Sequence, residues 1–138
     1  MYRTRCTGCV WFARCIGTLQ AEDLEAAEVR GVKYYPRGVT TGSELCVGGE
    51  EDMSTYSFIF SKLADLNKTL HIHGEEPGAC VLHAESLFID KIDKIRKLYP
   101  NLKIVLEHVT TRDAVEYVKQ HERPLLLFTT LTSRLTLL

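Results

Sequence analysis

Helix and strand patterns alternate along this chain from about residue 20, and the alternation limits the fold more than any other feature of the sequence. The predicted strands are 31–35, 69–73 and 102–108, and the predicted helices are 21–30, 52–67, 82–99 and 113–120. No Asn-Gly hairpin signal separates the strands. Strands that alternate with helices form parallel sheets joined by right-handed crossovers, so the sequence predicts an α/β fold.

Apolar residues recur at helical spacing within the predicted helices and mark the faces expected to be buried. They are Tyr56, Ile59, Phe60 and Leu63 in the second helix, Leu87, Ile92, Ile95 and Leu98 in the third, and Ala114, Val115 and Val118 in the last. Thr110 or Thr111 is the expected N-cap of the last helix. The Ile-Val-Leu centre of the strand at 102–108 predicts burial on both faces.

Charge and length exclude several classes of protein. The 138 residues carry 17 Lys+Arg and 18 Asp+Glu, a net charge of −1 that gives no electrostatic basis for binding nucleic acid or an anionic membrane. The apolar stretch 125–138 is short and contains Arg134, so we interpret it as a buried strand or a damaged end and not as a membrane span. A complete (β/α)₈ barrel needs at least about 200 residues, so the 138 residues of this chain are too few to form one.

The five cysteines predict unpaired thiols and a cytoplasmic protein, because their number is odd and no secretory signal is recognisable. A zinc or redox role for Cys6-x-x-Cys9 lacks a second metal-binding pair nearby. Arg3, Arg5 and Arg14 faintly resemble a transit peptide, but the serine enrichment of such segments is missing.

Ionisable side chains lie within or at the end of each predicted strand, at Lys33, His73 and His108. A lysine in a strand is more often a solvated edge residue, and a histidine that closes a strand is more often a hydrogen-bonded structural residue. Ligand sites in parallel α/β folds, however, lie at the carboxyl ends of the strands. One parallel sheet would bring all three residues to the same rim, which favours a functional site.

These residue types suit a metal-dependent hydrolase. Two imidazoles are good ligands for Zn²⁺, whereas a lysine ammonium repels it. A lysine that has reacted with CO₂ is a carbamate, an anion whose two oxygens can bridge two metal ions. The set therefore predicts half of a two-metal site that polarises a carbonyl for attack by hydroxide. The glycine-rich segment 37–51 predicts a mobile loop beside that site.

Four short motifs in order resemble the middle of a dihydroorotase of the single-function bacterial and fungal kind. The motifs are Lys33-Tyr34-Tyr35-Pro36, Gly38-Val39-Thr40-Thr41-Gly42-Ser43, Leu70-His71-Ile72-His73-Gly74-Glu75 and Ile104-Val105-Leu106-Glu107-His108-Val109-Thr110-Thr111. The resemblance covers roughly residues 18–123. It implies a partial (β/α)₈ TIM barrel, an incomplete barrel that contains about strands 4 to 6 and the helices that flank them.

The resemblance also implies roles for five residues. Lys33 matches the carboxylated lysine that bridges two zinc ions in the family's catalytic centre, and His73 and His108 match histidines that bind one of those ions. Thr40 and Thr41 match the threonines of the loop that closes over the small-molecule substrate, carbamoyl-aspartate or dihydroorotate. His71 shares a face with His73 by strand alternation, but the resemblance makes only His73 a ligand.

The sequence also departs from the family. No histidine precedes His71, and the family's C-terminal segment with an Asp followed by Ala-Pro-His is absent. Residues 1–17 and 124–138 also show no features of the family. We therefore expect three parts: an atypical segment 1–17, a partial metal-dependent hydrolase domain 18–123, and an atypical segment 124–138. The expected function is dihydroorotase-like cyclic amide hydrolysis in pyrimidine biosynthesis, inactive in this chain alone, with one weakly bound zinc ion or none. The alternative is a non-catalytic remnant that binds zinc weakly or a partner, including a second copy through uncovered strand edges.

Overall fold

The computed structural model describes residues 11–13, 21–25, 29–36, 38–39, 56–121 and 125–128. Its strands are β1 (Trp11–Ala13), β2 (Val29–Tyr34), β3 (Thr69–His73), β4 (Lys103–Glu107) and β5 (Leu125–Phe128). Its helices are α1 (Ala21–Glu25), α2 (Ser57–Asp65), α3 (Val81–Leu98) and α4 (Arg112–Gln120). None of the helices in these ranges is long and apolar enough to cross a membrane.

The described strands form one parallel sheet in the order β1-β2-β3-β4-β5, which is also their order in the chain. The predicted α/β class is confirmed, and a partial (β/α)₈ barrel is consistent with this sheet. β5 lies within the stretch for which a buried strand was one of two interpretations, and β1 lies within the expected atypical segment 1–17.

The two faces of the sheet differ in chemistry. The face that packs on the helices is apolar and carries Val32, Tyr34, Leu70, Ile72, Ile104 and Leu106, all of them buried. The opposite face carries Lys33, His71, His73, Val105 and Glu107, because alternate residues of a strand point to opposite sides. The alternation separates a hydrophobic core from a polar surface within the same three strands.

The helices pack where their apolar spacing predicts, with two exceptions. Tyr56, Ile59, Phe60 and Leu63 are buried as expected, and Thr111 is the N-cap of α4. In α3, however, Leu87 and Leu98 are 55% and 69% exposed, so their predicted burial is wrong. The buried face of α3 is instead Ala84, Phe88, Ile92 and Ile95. Leu87 lies about 100° around the helix from Phe88, and Leu98 is the last helical residue.

The first predicted helix ends earlier than expected. Val29 and Arg30, predicted as helix, are the first two residues of β2. Helix-forming composition gives only a weak preference for helix, and the hydrogen bonds that pair β2 with β3 in the tertiary structure outweigh it.

Gly31 allows β2 and β3 to approach each other closely. A Cβ atom at this position would lie 2.5 Å from the backbone carbonyl oxygen of Thr69. At Gly74, by contrast, an added Cβ would meet only side-chain atoms, at 3.4 Å or more.

We therefore predict that Gly31→Ala destabilises the protein by about 2 kcal/mol, because the two strands must separate to admit the methyl group. The matched substitution Gly74→Ala should change the free energy of unfolding by less than about 1 kcal/mol. Urea unfolding of both variants measures the difference. Equal stability of the two variants would contradict the close approach of β2 and β3.

Candidate active site

The polar face of the sheet holds a buried ion pair between β2 and β4. Lys33 is 6% exposed, and its Nζ donates a hydrogen bond to Oε2 of Glu107. The Lys33 Nζ also lies 4.9 Å from the centre of the Tyr35 ring. β2 is paired on both sides, so Lys33 is a buried residue of an interior strand and not a solvated edge residue.

His71 completes this network from β3. Its Nδ1 is 2.8 Å from Oε1 of Glu107, and its Nε2 is 3.0 Å from Oγ1 of Thr69. Because a carboxylate only accepts hydrogen bonds, the proton on His71 belongs on Nδ1, where it is donated to Glu107. His71 and Lys33 are register partners on adjacent strands, which places both within reach of one carboxylate.

Glu107 is ionised in this environment. Burial opposes its charge, but hydrogen bonds from His71 and Lys33 outweigh burial and lower the Glu107 pKa to about 2. For Lys33 the balance is reversed, because burial lowers the pKa and Glu107 offsets that effect only in part. The lysine amine therefore loses its proton more readily than a solvated lysine would.

His73 and His108 lie close together at the carboxyl ends of β3 and β4. Their ring centres are 5.7 Å apart. His73 is largely buried, whereas the side chain of His108 is 44% exposed. Burial lowers the pKa of His73, and the nearby Lys33 and His108 add to this, while Glu75 opposes it. These surroundings favour the neutral imidazole, which is the form that binds metal ions.

The donor atoms at this rim fit part of a zinc site. Nε2 of His73 is buried and makes no hydrogen bond within the described part of the chain, although Oε1 of Glu75 is 3.5 Å away. An orphaned imidazole nitrogen beside a second imidazole fits two ligands of a zinc ion. The described residues contain no group of three or more His, Cys, Asp or Glu arranged to hold a metal ion. A lysine carbamate would be a further ligand of another type.

The structure thus brings together Lys33, His73 and His108, the three residues predicted from the strand ends. Thr40 and Thr41 lie outside the described residues, as do Cys6 and Cys9. Sequence reasoning missed Glu107 as part of the site. Strand alternation could have revealed it. Glu107 pairs with His73 in register, so the two side chains lie on the same face of the sheet.

These features define a class of protein: an α/β protein with a parallel sheet and a cluster of ionisable groups at the carboxyl ends of its strands. No family model matches the chain. Its sequence is 51% identical to the dihydroorotase of Mycosarcoma maydis over 107 residues, an alignment that covers 72% of this chain and 26% of that protein. It is 39% identical to the dihydroorotase of Saccharomyces cerevisiae over 106 residues, covering 69% of this chain and 29% of that one.

Comparison with solved structures also finds similarity to dihydroorotases. The crystal structure of Saccharomyces cerevisiae dihydroorotase in complex with 5-fluoroorotic acid superposes with a TM-score of 0.78 at 29% identity, covering 86% of this chain and 38% of that one. Campylobacter jejuni dihydroorotase gives a TM-score of 0.74 at 33% identity, covering 88% and 35%. The chain belongs to the dihydroorotase family. It spans between a quarter and a third of the length of the two curated relatives.

Removing the charge of Glu107 should destabilise the protein, because it leaves the Lys33 ammonium buried without its partner. We predict that Glu107→Gln lowers the free energy of unfolding by about 3 kcal/mol. The control is Glu116→Gln, which removes an exposed i,i+4 ion pair with Arg112 and should cost much less, because solvent screens that pair. Urea unfolding at neutral pH compares the variants. Equal losses would mean that the Lys33–Glu107 pair contributes no more than a surface pair.

The same carboxylate predicts a pH dependence. The folded-state pKa of Glu107, about 2, lies below its ordinary value of 4.5, so its ionised form stabilises the fold above pH 4.5. That stabilisation is lost as the pH falls from 4.5 towards 2. The stability difference between the wild-type chain and Glu107→Gln should therefore shrink over this interval, as measured by urea unfolding in metal-free buffer. A difference that stays constant would contradict the assignment.

Proposed function

We propose that this chain carries part of a dihydroorotase-like active centre, a zinc-dependent cyclic amide hydrolase that interconverts carbamoyl-aspartate and dihydroorotate in pyrimidine biosynthesis. The observation that carries the proposal is the convergence of a buried lysine and two neighbouring histidines on one rim of a parallel sheet. The related yeast structure holds 5-fluoroorotic acid, which supports a small pyrimidine-like substrate. A cytoplasmic location is part of this proposal, and the free thiol of Cys80 agrees with it.

Zinc would be held by His73 and His108, together with Lys33 once that residue is carboxylated. When bound, zinc supplies Lewis acidity that polarises the substrate carbonyl. His73 supports this arrangement because its buried Nε2 lacks a hydrogen bond within the described residues. His71 is the poorer candidate, because both its ring nitrogens already have partners in Thr69 and Glu107.

Burial of Lys33 favours its carboxylation, whereas the ion pair with Glu107 opposes it. The neutral amine attacks the carbon of CO₂: an N–C bond forms, one C=O π bond opens onto its oxygen, and the amine proton passes to water, which leaves the carbamate anion. Burial favours the neutral amine by lowering the pKa of Lys33. The present partner of the lysine, Glu107, would face an anion after the reaction, so the Lys33 end of the network must rearrange. His71 would keep its own hydrogen bond to Glu107.

Thr40 and Thr41 are proposed as substrate-loop residues on the strength of the family resemblance alone. Hydroxyl groups on a closing loop can stabilise an oxyanion as it develops.

The 138 residues alone are proposed to be inactive. The sequence has no histidine before His71 and no Ala-Pro-His segment, so the first-metal histidines and the metal-bound general base of the family have no counterpart in it. Catalytic groups of this kind act as a unit, and loss of one removes most of the activity.

One observation favours a second function, a non-catalytic remnant that binds zinc weakly or a partner. Lys33 already has a charged partner in Glu107, so the buried lysine is satisfied without carboxylation or metal. A chain that kept its structural contacts after losing catalysis would show the same pair.

A chimera separates these two functions. Residues 18–123 would replace the matching part of the Mycosarcoma maydis dihydroorotase, and dihydroorotate hydrolysis would be measured. We predict an active chimera in which Lys33→Ala, His73→Ala or His108→Ala lowers kcat/KM by about three orders of magnitude or more. His83→Ala, which removes an exposed histidine of α3, is the control and should leave activity unchanged. A folded but inactive chimera would favour the remnant.

Metal content tests the isolated chain. The ligand set predicts at most one weakly bound zinc ion per chain after equilibration with zinc and bicarbonate, and His73→Ala should remove it. Mass spectrometry measures the zinc content of the protein and detects the added mass of a carbamate on Lys33. Two tightly bound ions per chain would mean that further ligands come from elsewhere, for example from a second copy.

A further inference from the structure

A carboxylate on α3 is clamped onto the turn that follows β4. Glu85 accepts hydrogen bonds from the backbone N–H groups of Thr110 and Thr111, at 2.9 Å each, and the Thr110 N–H has a second, longer contact of 3.2 Å. Its two oxygens also accept from the hydroxyl groups of the same threonines, at 2.9 and 2.5 Å. Four donors from two adjacent residues therefore converge on one side chain from another helix.

The clamped turn begins at His108, whose backbone is unusual. Its φ is +55°, a left-handed conformation that residues other than glycine adopt infrequently. Continued strand alternation would place His108 on the same face as the buried Leu106, among the helices. The left-handed residue ends that alternation, and the His108 ring instead lies beside that of His73.

Helix capping does not account for the clamp. Thr111 is itself the N-cap of α4, since its Oγ1 accepts from the backbone N–H of Ala114. The Thr111 hydroxyl can accept this bond while donating its own hydrogen to Glu85. Capping of α4 thus needs only Thr111, whereas Glu85 additionally holds Thr110, which is exposed and lies outside the helix.

We propose that Glu85 is a positioning residue for His108. It fixes the turn 108–111 so that the left-handed backbone at His108 persists and the imidazole stays next to His73. This inference rests on the proposed function for its consequence, metal binding, but the positioning itself concerns only the described side chains.

The chain supplies a matched control for this idea. Asp93, on the same helix α3, also ties α3 to α4, through a 2.9 Å hydrogen bond from the hydroxyl of Tyr117. Arg96 and Lys97 add to that cluster. Asp93 thus joins α3 to α4 itself, away from the turn that Glu85 holds and that begins at His108.

The test compares Glu85→Gln with Asp93→Asn in the full chain. The amide that Glu85→Gln introduces keeps one acceptor oxygen but turns N–H donors towards the backbone N–H of Thr110 or Thr111, so one half of the clamp should open. In metal-free protein, nuclear magnetic resonance should show changed His108 ring shifts and faster hydrogen exchange at Thr110 and Thr111 in Glu85→Gln. Asp93→Asn should leave all three signals as in the wild-type chain.

Metal binding supplies the second readout. We expect Glu85→Gln to weaken zinc binding by about 10-fold to 100-fold, the range found when residues that orient metal ligands are removed. Asp93→Asn should change it by less than about 2-fold. The absorption spectrum of bound Co²⁺, which reports the ligand set, should change only in Glu85→Gln. Thr110→Ala, which removes a single hydroxyl contact, serves if Glu85→Gln does not fold, and should show smaller changes in the same direction.

The outcomes separate this inference from the proposed function. Unchanged His108 signals in Glu85→Gln, or changes equal to those of Asp93→Asn, overturn the positioning role. An inactive chimera counts against the proposed function, while the signals of His108 in the metal-free chain still decide the role of Glu85.

Discussion

In-register parallel pairing of β2, β3 and β4 is the constraint on which the rest of the structure depends. It aligns Lys33 with His71 and His73 with Glu107, so one face of three strands becomes polar while the other stays apolar. A shift of one residue in any strand would exchange the faces and put charged groups into the core. The register that buries Leu70, Ile72 and Leu106 is therefore the same register that assembles the candidate site.

The polar face is stable because its charges satisfy one another. A buried lysine alone would be costly, but Glu107 accepts from both Lys33 and His71, and His71 in turn contacts Thr69. His73 is the exception, with a buried nitrogen that has no hydrogen bond among the described residues. A satisfied network beside one unsatisfied nitrogen atom is the arrangement expected where a ligand completes the set.

Much of the fold was predictable from local pattern. The three central strands, the buried face of α2 and the Thr111 cap follow from apolar spacing and turn chemistry, which act over a few residues. The first helix was extended too far because composition cannot register a strand partner such as β3. Leu87 and Leu98 were placed in the core because spacing alone does not say which of two overlapping apolar stripes on α3 meets the sheet.

The sequence by itself determined the strand and helix order, the family resemblance, and the convergence of Lys33, His73 and His108 on one rim, since parallel strands end at a common edge. Only the tertiary structure decided what these residues contact. Glu107 reaches Lys33 from two strands away, and Glu85 holds the turn after His108 from a different helix. Such contacts join residues distant in sequence, and their geometry depends on packing between elements, which no local pattern of side chains encodes.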